Sequence, residues 1–580
     1  MDNLKNILFI IVAIMLAVAI EAMTVNSAQE VKNLNRDLKS LKVDDSSREK
    51  LSLSDALFVQ NSQIGLVNLI FDDENRTFKY ISNREFIKSI YSKLNFTPLW
   101  FNRDGLKREL VDELFSVIES DEILDRRGNI YKRYRYLKRV LDRNMSMEQM
   151  LKRDIMITSL YKSYLNFHIF GSIKWWSFQK YLKGLRDNRI SARWITYNPK
   201  FDIEDLILNH KPRDVVDMTT PKTFGYGQML IELKRLKDIR SRGGFVKVPN
   251  SRQLRYGRSG DSVAKLKKRL TQSGDYICSG GEGRKRYGKC LKRAVKRFQK
   301  RHGLSQSGKI DRETLRELNL SIDRRIDKLL LNMDRIKRLP RGLSRRYLMV
   351  NIPSFRLYYF DDMVERFSMR VIVGDKRHHT PIFSNSVSFI VLNPYWIIPD
   401  SIVRKEIIPR MLKNPNYAKE RGYEVRLSYN VNAPQVDTKK VNWDRVLKSG
   451  ESKKYKFVQP PGPKNALGKI KFKFPNQFSV YLHDTSDRGL FKREKRAFSH
   501  GCIRVSEPYK LLKSFTEHED KVSYSRCKTI LDGDRKSQIN LDNRVPIYIV
   551  YLTAWVDSKG LLYYFDDIYN YDKHQKRAIQ

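Results

Sequence analysis

The stretch A-F-S-H-G-C-I-R-V at residues 497–505 decides how this chain of 580 residues is interpreted. It places Cys502 directly after Gly501 and two residues before Arg504. A free thiol has a pKa of about 8.5, so a nucleophilic cysteine needs neighbours that favour its anion, and positive charge does so. Gly501 lets the backbone turn tightly, and the amide N–H groups of Gly501 and Cys502 are suited to meet an oxyanion. The stretch therefore predicts a thiol nucleophile at Cys502.

Two histidines compete for the role of general base. His500 lies two residues before Cys502, and on a strand it would face the same side. His483 follows an apolar segment, residues 478–482, and the end of a strand that feeds a loop is a usual place for a catalytic side chain. The spacing alone leaves both open. An inert buried thiol with two structural histidines is the alternative, and the local density of His, Gly, Cys and Arg weighs against it.

β-branched and aromatic residues around this stretch predict a mainly β domain. The predicted strands are residues 347–351, 356–360, 367–373, 387–392, 478–482, 545–552 and 561–565. A segment with few strand signals, about residues 395–475, interrupts them and contains a predicted helix at 402–411. Insertions of this length in a compact domain usually have a function, often as a lid, so we expect a capping insertion.

The N-terminal half is predicted to be helical because apolar residues recur there every three or four positions. Residues 51–250 are interpreted as a helical scaffold, and residues 251–320 as a small module of three short helices. A return helix is expected in 321–345, the β domain in 346–556, and a C-terminal strand and tail in 557–580. The fold class is therefore multidomain α+β.

The extreme N-terminus indicates export. Residues 7–20 form an unbroken apolar run of 14 residues, which fits a secretory signal and is short for a membrane span of about 20 residues. Cleavage within residues 1–28 and an uncleaved membrane anchor both remain open, and residues 29–50 are interpreted as a tether. The net charge of +47 favours an anionic partner, but export argues against nucleic acid.

The four cysteines are Cys278, Cys290, Cys502 and Cys527. The spacing favours a bridge between Cys278 and Cys290 without deciding it, and such a bridge would stabilise the fold by about 3 kcal/mol. A bridge from Cys502 to Cys527 would block the nucleophile, so Cys527 is expected to be free, buried or both.

Neither a metal nor a cofactor is expected. The sequence has no C-x-x-C pair and no histidine cluster at metal-ligand spacing. The doublet His378-His379 is interpreted as part of a solvated loop.

Several motifs together resemble the L,D-transpeptidase catalytic domain of the YkuD type. They are S-H-G-C-I-R-V, Y-L-H-D-T, N-I-P-S-F-R-L-Y, T-P-I-F-S and A-L-G-K-I-K-F-K-F-P-N, and the resemblance covers most of residues 347–556. The longer stretches are similar to the large Gram-negative, YcbB-like branch. Residues 254–318 resemble a peptidoglycan-binding module, with a spacer that binds nothing as the alternative.

The resemblance implies a role for each matching residue. It makes Cys502 the nucleophile and His483 the general base and acid, with a backbone carbonyl near His500 orienting the imidazole. The residues expected to shape the site and its oxyanion pocket are Ser499, His500, Gly501 and Arg504, and those expected to contact substrate are Tyr481 and Trp396. Asp484 is a further candidate, as an orienting carboxylate by analogy with other triads.

The reaction implied is acyl transfer through a cysteine thioester. Its partners would be peptidoglycan stem tetrapeptides, one as donor and one as acceptor. Other wall-synthesis enzymes are further candidate partners. Family members also use an outer-membrane protein or water as acceptor, and the residues do not separate these outcomes. A wall-binding protein without activity is the rival class, and carbapenem acylation of the thiol would distinguish it.

Overall fold

The computed structural model describes residues 53–71, 83–278, 283–430 and 432–579, with side chains to residue 576. The expected export segment, residues 1–28, and the tether, residues 29–50, lie outside the described residues. Within the described ranges, no helix combines the length and apolar character that a membrane span requires.

Helices dominate the described residues up to residue 336. They are α1 (Leu53–Phe71), α2 (Arg84–Lys93), α3 (Arg108–Ser120), α4 (Asn129–Val140), α5 (Met147–Phe170), α6 (Trp175–Asp187), α7 (Ile203–Asn209), α8 (Pro212–Thr219), α9 (Tyr226–Ser241), α10 (Asp261–Gln272), α11 (Lys289–Arg301), α12 (Arg312–Leu318) and α13 (Ile322–Ile336), with a two-stranded hairpin of β1 (Phe101–Asn102) and β2 (Gly105–Leu106). The longest, α5, begins at a capping box in which Ser146 and Gln149 satisfy each other's backbone N–H groups.

The region expected as one scaffold is divided among three cores. Most of α1 to α8 share a single apolar core around α5. Helix α6 instead buries Phe178 and Leu182 in the core of the β domain. Helix α9 packs with α13 against strands of the same domain. The helical region is therefore joined to the β domain by shared packing.

Helices α10, α11 and α12 form a small module with a core of its own, which includes Leu266 and Phe298. Cys278 and Cys290 form a disulfide here, with their Cα atoms 6.3 Å apart. The bridge that the spacing favoured is thus present. Cys527 is free and buried, as expected.

The β domain is built on a nine-stranded mixed sheet. Its strands are β3 (Tyr347–Asn351), β4 (Arg356–Asp361), β5 (Val364–Gly374), β6 (Phe383–Leu392), β10 (Ile470–Lys473), β11 (Leu482–His483), β12 (Ala497–Ser499), β13 (Ile503–Val505) and β14 (Ser537–Val550). The order is β12-β5-β13-β11-β10-β6-β14-β3-β4, and β4 also pairs with β5. The sheet therefore closes on itself around its core.

Six of the seven predicted strands are confirmed, and the strand predicted at 478–482 is wrong. Only Leu482 of that segment enters the sheet. The Asn476 side chain accepts hydrogen bonds from the amides of Phe478 and Val480, and Ser479 has a positive φ of 55°. These local contacts hold the segment as a loop despite its apolar composition.

The insertion between β6 and β10 is a small body with its own core, which includes Ile408 and Trp443. It contains β7 (Trp396–Ile397), α14 (Asp400–Ile402), a π-helical turn (Val403–Ile407), α15 (Ile408–Lys413), α16 (Tyr417–Glu420), β8 (Glu424–Arg426), α17 (Trp443–Ser449) and β9 (Lys456–Gln459). We call residues 396–459 the cap. The segment with few strand signals contains short strands, and β7, β9 and β8 form a sheet. The expected end of the insertion at about residue 475 lies too late in the chain, because β10 pairs with β6 and β11 in the main sheet.

The C-terminal part contributes side chains to the main core of the β domain and to the core that α9 and α13 share with its strands. It comprises α18 (Pro508–Thr516), α19 (Tyr524–Asp532), the hairpin of β15 (Ala554–Val556) and β16 (Leu562–Tyr564), and α20 (Tyr571–Ile579). Tyr551, Tyr569 and Tyr571 pack together beside Trp194 of the helical region. The multidomain α+β class, with a helical scaffold, a three-helix module and a capped sheet domain, is confirmed.

Candidate active site

Two neighbouring parallel strands bring His483 and Cys502 together. In β11 and β13, Leu482 pairs with Ile503 and His483 pairs with Arg504. The Ile503 amide donates to the Tyr481 carbonyl at 3.1 Å, which extends the pairing past the end of β11. Cys502 therefore lies at the start of one strand, while His483 projects from the next.

A network of hydrogen bonds fixes the loop that carries the thiol, residues 499–502, which we call the Cys502 loop. The Ser499 hydroxyl donates to the Cys502 carbonyl at 2.5 Å and accepts from the Gly501 amide at 3.2 Å. Thr380 donates from its hydroxyl to the Gly501 carbonyl at 2.9 Å. Gly501 has a φ of 108°, which a side chain would strain. The loop is held before any substrate arrives.

The expected oxyanion pocket is only partly available. The Gly501 amide is engaged by Ser499, whereas the Cys502 amide has no hydrogen-bond acceptor among the described residues. An oxyanion at this position would therefore meet the Cys502 N–H first, and the Gly501 N–H only after Ser499 turns away.

The thiol is half-buried, with its sulfur 3.8 Å from the Ser479 carbonyl oxygen. Burial raises the pKa of Cys502 above its usual value, while hydrogen bonds from Tyr481 and the charges of Lys471 and Lys473 oppose that rise. The Lys471 ammonium lies 3.8 Å from the centre of the Tyr481 ring. Burial and the neighbouring Lys473 lower the pKa of Lys471 to about 8. The proton therefore rests on sulfur, beside two lysines that favour its loss.

His483 is buried and is held in one tautomer. Its Nδ1 lies 2.5 Å from the Asp484 carbonyl oxygen and donates to it, which leaves Nε2 as the acceptor. Burial and the Arg504 charge lower the pKa of His483 to about 3. The imidazole is thus neutral at physiological pH and able to take a proton.

Two details of the expected orientation are wrong. The carbonyl that orients the imidazole belongs to Asp484 rather than to the Cys502 loop. The Asp484 carboxylate does not act as a triad member, because it accepts from the Lys469 amide at 3.0 Å and pairs with Arg488 at 3.1 Å. Gly468 is required at this contact, since a Cβ there would lie 2.3 Å from the carboxylate. Asp484 therefore holds the loop before β10.

Arg504 supplies a cation beside the thiol, and one of its nitrogens lacks a hydrogen-bond partner among the described residues. Its side chain is half-buried, and its Nε is buried with no hydrogen-bond partner in the described part of the chain. Burial lowers the pKa of Arg504, and the charges of Asp487 and Cys502 oppose that effect. A guanidinium in this state is suited to bind an anionic group.

Among the described residues, the cap reaches the Cys502 loop through one polar contact. His500 Nε2 lies 2.5 Å from Glu406 Oε1, and the ring of His378 lies 4.6 Å from that of His500. Glu406 belongs to the π-helical turn, which precedes Pro409, a residue that cannot donate to the preceding helical turn. The proline thus accounts for the irregular turn that presents the carboxylate.

The interpretation of His378 and His379 as a solvated doublet is wrong. His379 is buried, with Nδ1 2.7 Å from the Tyr571 hydroxyl and its ring stacked on Tyr569. Burial lowers the pKa of His379 to about 4. His379 is a packing residue, whereas His378 faces the site through His500.

The remaining predicted residues divide between the site and the cap. Tyr481 lies at the site, with its ring 5.5 Å from that of His483. Trp396 lies in the cap, where its indole packs 6.3 Å from Tyr423. In the ranges that the structure describes, no group of three or more metal-ligating side chains is present.

Sequence reasoning missed several residues of the site. They are Thr380, Glu406, Lys471, Lys473 and Ser479. The alternation K-x-K in β10 was a usable signal, because it places both lysines on one face of a strand that pairs with β11. The positions of the others depend on tertiary contacts.

Two family models match this chain. Residues 345–522 match the family described as "L,D-transpeptidase catalytic domain", YkuD, and residues 259–318 match the "Putative peptidoglycan binding domain" family. By class, the chain carries a transpeptidase catalytic domain joined to a domain of the peptidoglycan-binding type. Residues 345–522 thus match the catalytic domain of the L,D-transpeptidases of the YkuD family.

The chain is also similar to individual proteins. It is 33% identical over 246 residues to a Haemophilus influenzae protein described as "Putative L,D-transpeptidase". The aligned region covers 42% of this chain and 48% of that protein. The chain thus spans about half the length of this curated relative.

Two solved structures are among the similar ones. An L,D-transpeptidase from Xylanimonas cellulosilytica is 15% identical, with 52% of this chain and 100% of that chain covered and a TM-score of 0.16. An L,D-transpeptidase from Mycobacterium smegmatis is 11% identical, with 36% of this chain and 59% of that chain covered and a TM-score of 0.16.

Proposed function

We propose that this protein is a peptidoglycan L,D-transpeptidase that forms cross-links between third-position diaminopimelate residues through a thioester on Cys502. The observation that carries the proposal is the pairing of a half-buried thiol with a neutral, tautomer-fixed imidazole on adjacent strands of a YkuD domain. In this proposal Cys502 is the nucleophile and His483 is the general base. The match of the three-helix module to the peptidoglycan-binding family supports peptidoglycan as the polymer.

The first half-reaction transfers the acyl group to the enzyme. His483 Nε2 takes the thiol proton as the Cys502 sulfur attacks the amide carbonyl of diaminopimelate in the donor tetrapeptide. The Cys502 amide would stabilise the oxyanion, and Lys471 and Lys473 would stabilise the developing thiolate. The imidazolium then gives its proton to the amine of the leaving D-alanine.

The second half-reaction transfers the acyl group to the acceptor. The side-chain amine of diaminopimelate on a second stem attacks the thioester, and His483 takes a proton from it. The Cys502 thiolate leaves and recovers that proton, so the enzyme returns to its starting state. The cap would favour transfer over hydrolysis by limiting water at the thioester.

The proposed setting is the periplasm. A substrate of peptidoglycan stems places the reaction outside the cytoplasm. Tyr481 and Trp396 are proposed to contact the donor, at the thiol and at the base of the cap. The basic charge of the chain would hold it on a carboxylate-bearing polymer.

The decisive experiment follows the acyl-enzyme and then the product. Purified protein incubated with a disaccharide-tetrapeptide should gain the mass of the substrate less D-alanine, and Cys502→Ala should gain nothing. With excess tetrapeptide, mass analysis should identify dimers joined between two third-position residues. An adduct on the Cys502→Ala variant would refute the nucleophile, and release as free tripeptide only would assign water as the acceptor.

A further inference from the structure

A cleft of about 430 Å³ opens beside the Cys502 loop, between the β domain and the helical region. His500 and Gly501 line one part of it, and the turn after α6, residues 189–193, lines another. Phe478 and Val480 also line it, and they flank Ser479, whose carbonyl faces the thiol sulfur. The cleft therefore leads towards Cys502 from the helical side.

The helical wall of the cleft is positively charged. Arg186, Arg189 and Arg193 all line it. Arg186 donates to the Ala192 carbonyl at 3.0 Å and so holds the turn together. Arg189 and Arg193 are exposed and have no ion pair or side-chain hydrogen bond with any residue in the described ranges. Two guanidinium groups are thus available for an anionic ligand.

The turn that carries these arginines is fixed relative to the nucleophile. The Ser191 amide donates to the Arg377 carbonyl at 2.8 Å, and the His379 amide donates to the Ser191 carbonyl at 2.9 Å. The same 375–380 segment contacts the Cys502 loop, because the Asp375 amide donates to the Ser499 carbonyl at 2.9 Å. The arginines and the thiol therefore belong to one hydrogen-bonded frame.

A second basic region borders the thiol separately. Lys471 and Lys473 act on Cys502 directly and do not line the cleft. A transpeptidase must hold two carboxylate-bearing peptides at once, and two separate cationic regions match that requirement. Guanidinium groups bind carboxylates in bidentate geometry, which also orients the peptide.

We propose that this cleft is the acceptor subsite, in which Arg189 and Arg193 bind the carboxylates of the second stem peptide. This inference rests on the proposed function and assigns one of its two substrates to the helical region. The acceptor amine then approaches the thioester past His500 and Gly501. The helical scaffold thereby takes part in selecting the acceptor.

The test uses the full chain with Arg189→Glu and Arg193→Glu combined. Acylation of Cys502 by the donor tetrapeptide should stay within about twofold of wild type, while the acceptor concentration for half-maximal transfer should rise about tenfold or more, because attraction becomes repulsion. Hydrolysis of the thioester should increase relative to transfer. Arg127→Glu with Arg143→Glu, two exposed positions elsewhere in the helical region, makes the same charge change as a control.

The outcomes distinguish a failure of the acceptor subsite from a failure of the proposed function. Absence of an adduct on wild-type Cys502 would overturn the proposed function. A normal adduct with unchanged acceptor use in the variant would overturn the subsite, as would an equal loss of donor acylation. If the charge reversal lowers the melting temperature, Arg189→Gln with Arg193→Gln replaces it, and the same rise in acceptor requirement, smaller in size, is expected.

Discussion

At Cys502 and His483, burial acts on both partners in the same direction, since it disfavours the charged form of each. It raises the pKa of the thiol and lowers that of the imidazole to about 3. The resting pair is therefore thiol and neutral imidazole rather than thiolate and imidazolium. Such a pair needs the base during the attack itself, and the lysines at 471 and 473 reduce the cost of charge on sulfur.

This resting state gives a distinct pH dependence. His483 accepts a proton only when neutral, and its lowered pKa keeps it neutral far below the usual range. Acylation of Cys502 by donor or carbapenem should therefore be flat from about pH 5 to 7, below the range in which Lys471 loses its charge, without the fall at about pH 6.5 that an ordinary histidine gives. Rapid-mixing mass spectrometry would measure the acylation rate at each pH. A fall in that rate centred at about pH 6.5 would contradict the proposal.

The contribution of Lys471 can be tested by removing its charge. In Lys471→Met the thiolate loses a nearby cation, so the pKa of Cys502 should rise. If that pKa rises by about one, acylation at neutral pH should slow by about tenfold. Thiolate absorbance during a pH titration measures the first effect and adduct formation the second. Lys471→Arg keeps the charge and should retain most of the rate. Equal rates in both variants would exclude an electrostatic role.

Among the elements, the cap is attached to the Cys502 loop by a contact between a π-helical turn and His500. The cap has its own core, so it can move as a body while its internal packing is kept. A polar contact of this kind would hold the cap against the Cys502 loop and could break without disturbing the core of the cap.

Glu406→Gln should weaken that contact because it removes the charge that faces His500. Amide hydrogen exchange in α14 and α15 should become faster, and hydrolysis should rise relative to transfer as water reaches the thioester. Glu451→Gln removes an exposed ion pair elsewhere in the cap and is the matched control. If exchange increases equally in both variants, the contact with His500 does not hold the cap.

Across the whole molecule, a buried ion pair joins α13 of the helical region to α20 at the C-terminus. Arg335 is 1% exposed at its side chain and contacts the Asp572 carboxylate at 2.7 Å. It also donates to Gln575 and to the Tyr551 carbonyl. Burial would raise the pKa of Asp572, but the Arg335 and Lys328 charges hold it below its usual value.

Asp572→Asn should destabilise the protein strongly because it leaves the Arg335 charge buried without its counter-ion. A loss of about 3–5 kcal/mol in the free energy of unfolding is expected from denaturant titration. Asp327→Asn breaks an exposed pair between the same two helices, Asp327 with Lys576, and should cost less than about 1 kcal/mol. Similar losses in both variants would show that the Arg335 pair does not join the helical and β regions.

The sequence by itself determined the classes of element and the chemical identity of the site. The β-branched runs predicted six strands correctly, and S-H-G-C-I-R-V indicated Cys502 as the candidate nucleophile and the family that the comparisons bear out. These features are local, because strand periodicity and a short motif are complete within a few residues. The error at 478–482 also arose locally, where Asn476 redirects the backbone into a loop.

Only the tertiary structure decided which distant groups act on that site. Glu406, Thr380, Lys471 and the arginine turn at 189–193 reach the Cys502 loop from separate parts of the chain. The tautomer and low pKa of His483 likewise depend on the Asp484 carbonyl, on burial and on Arg504 in the next strand. Burial and non-local strand pairing are properties of the packed fold, and a local pattern in one sequence carries no information about which segments meet.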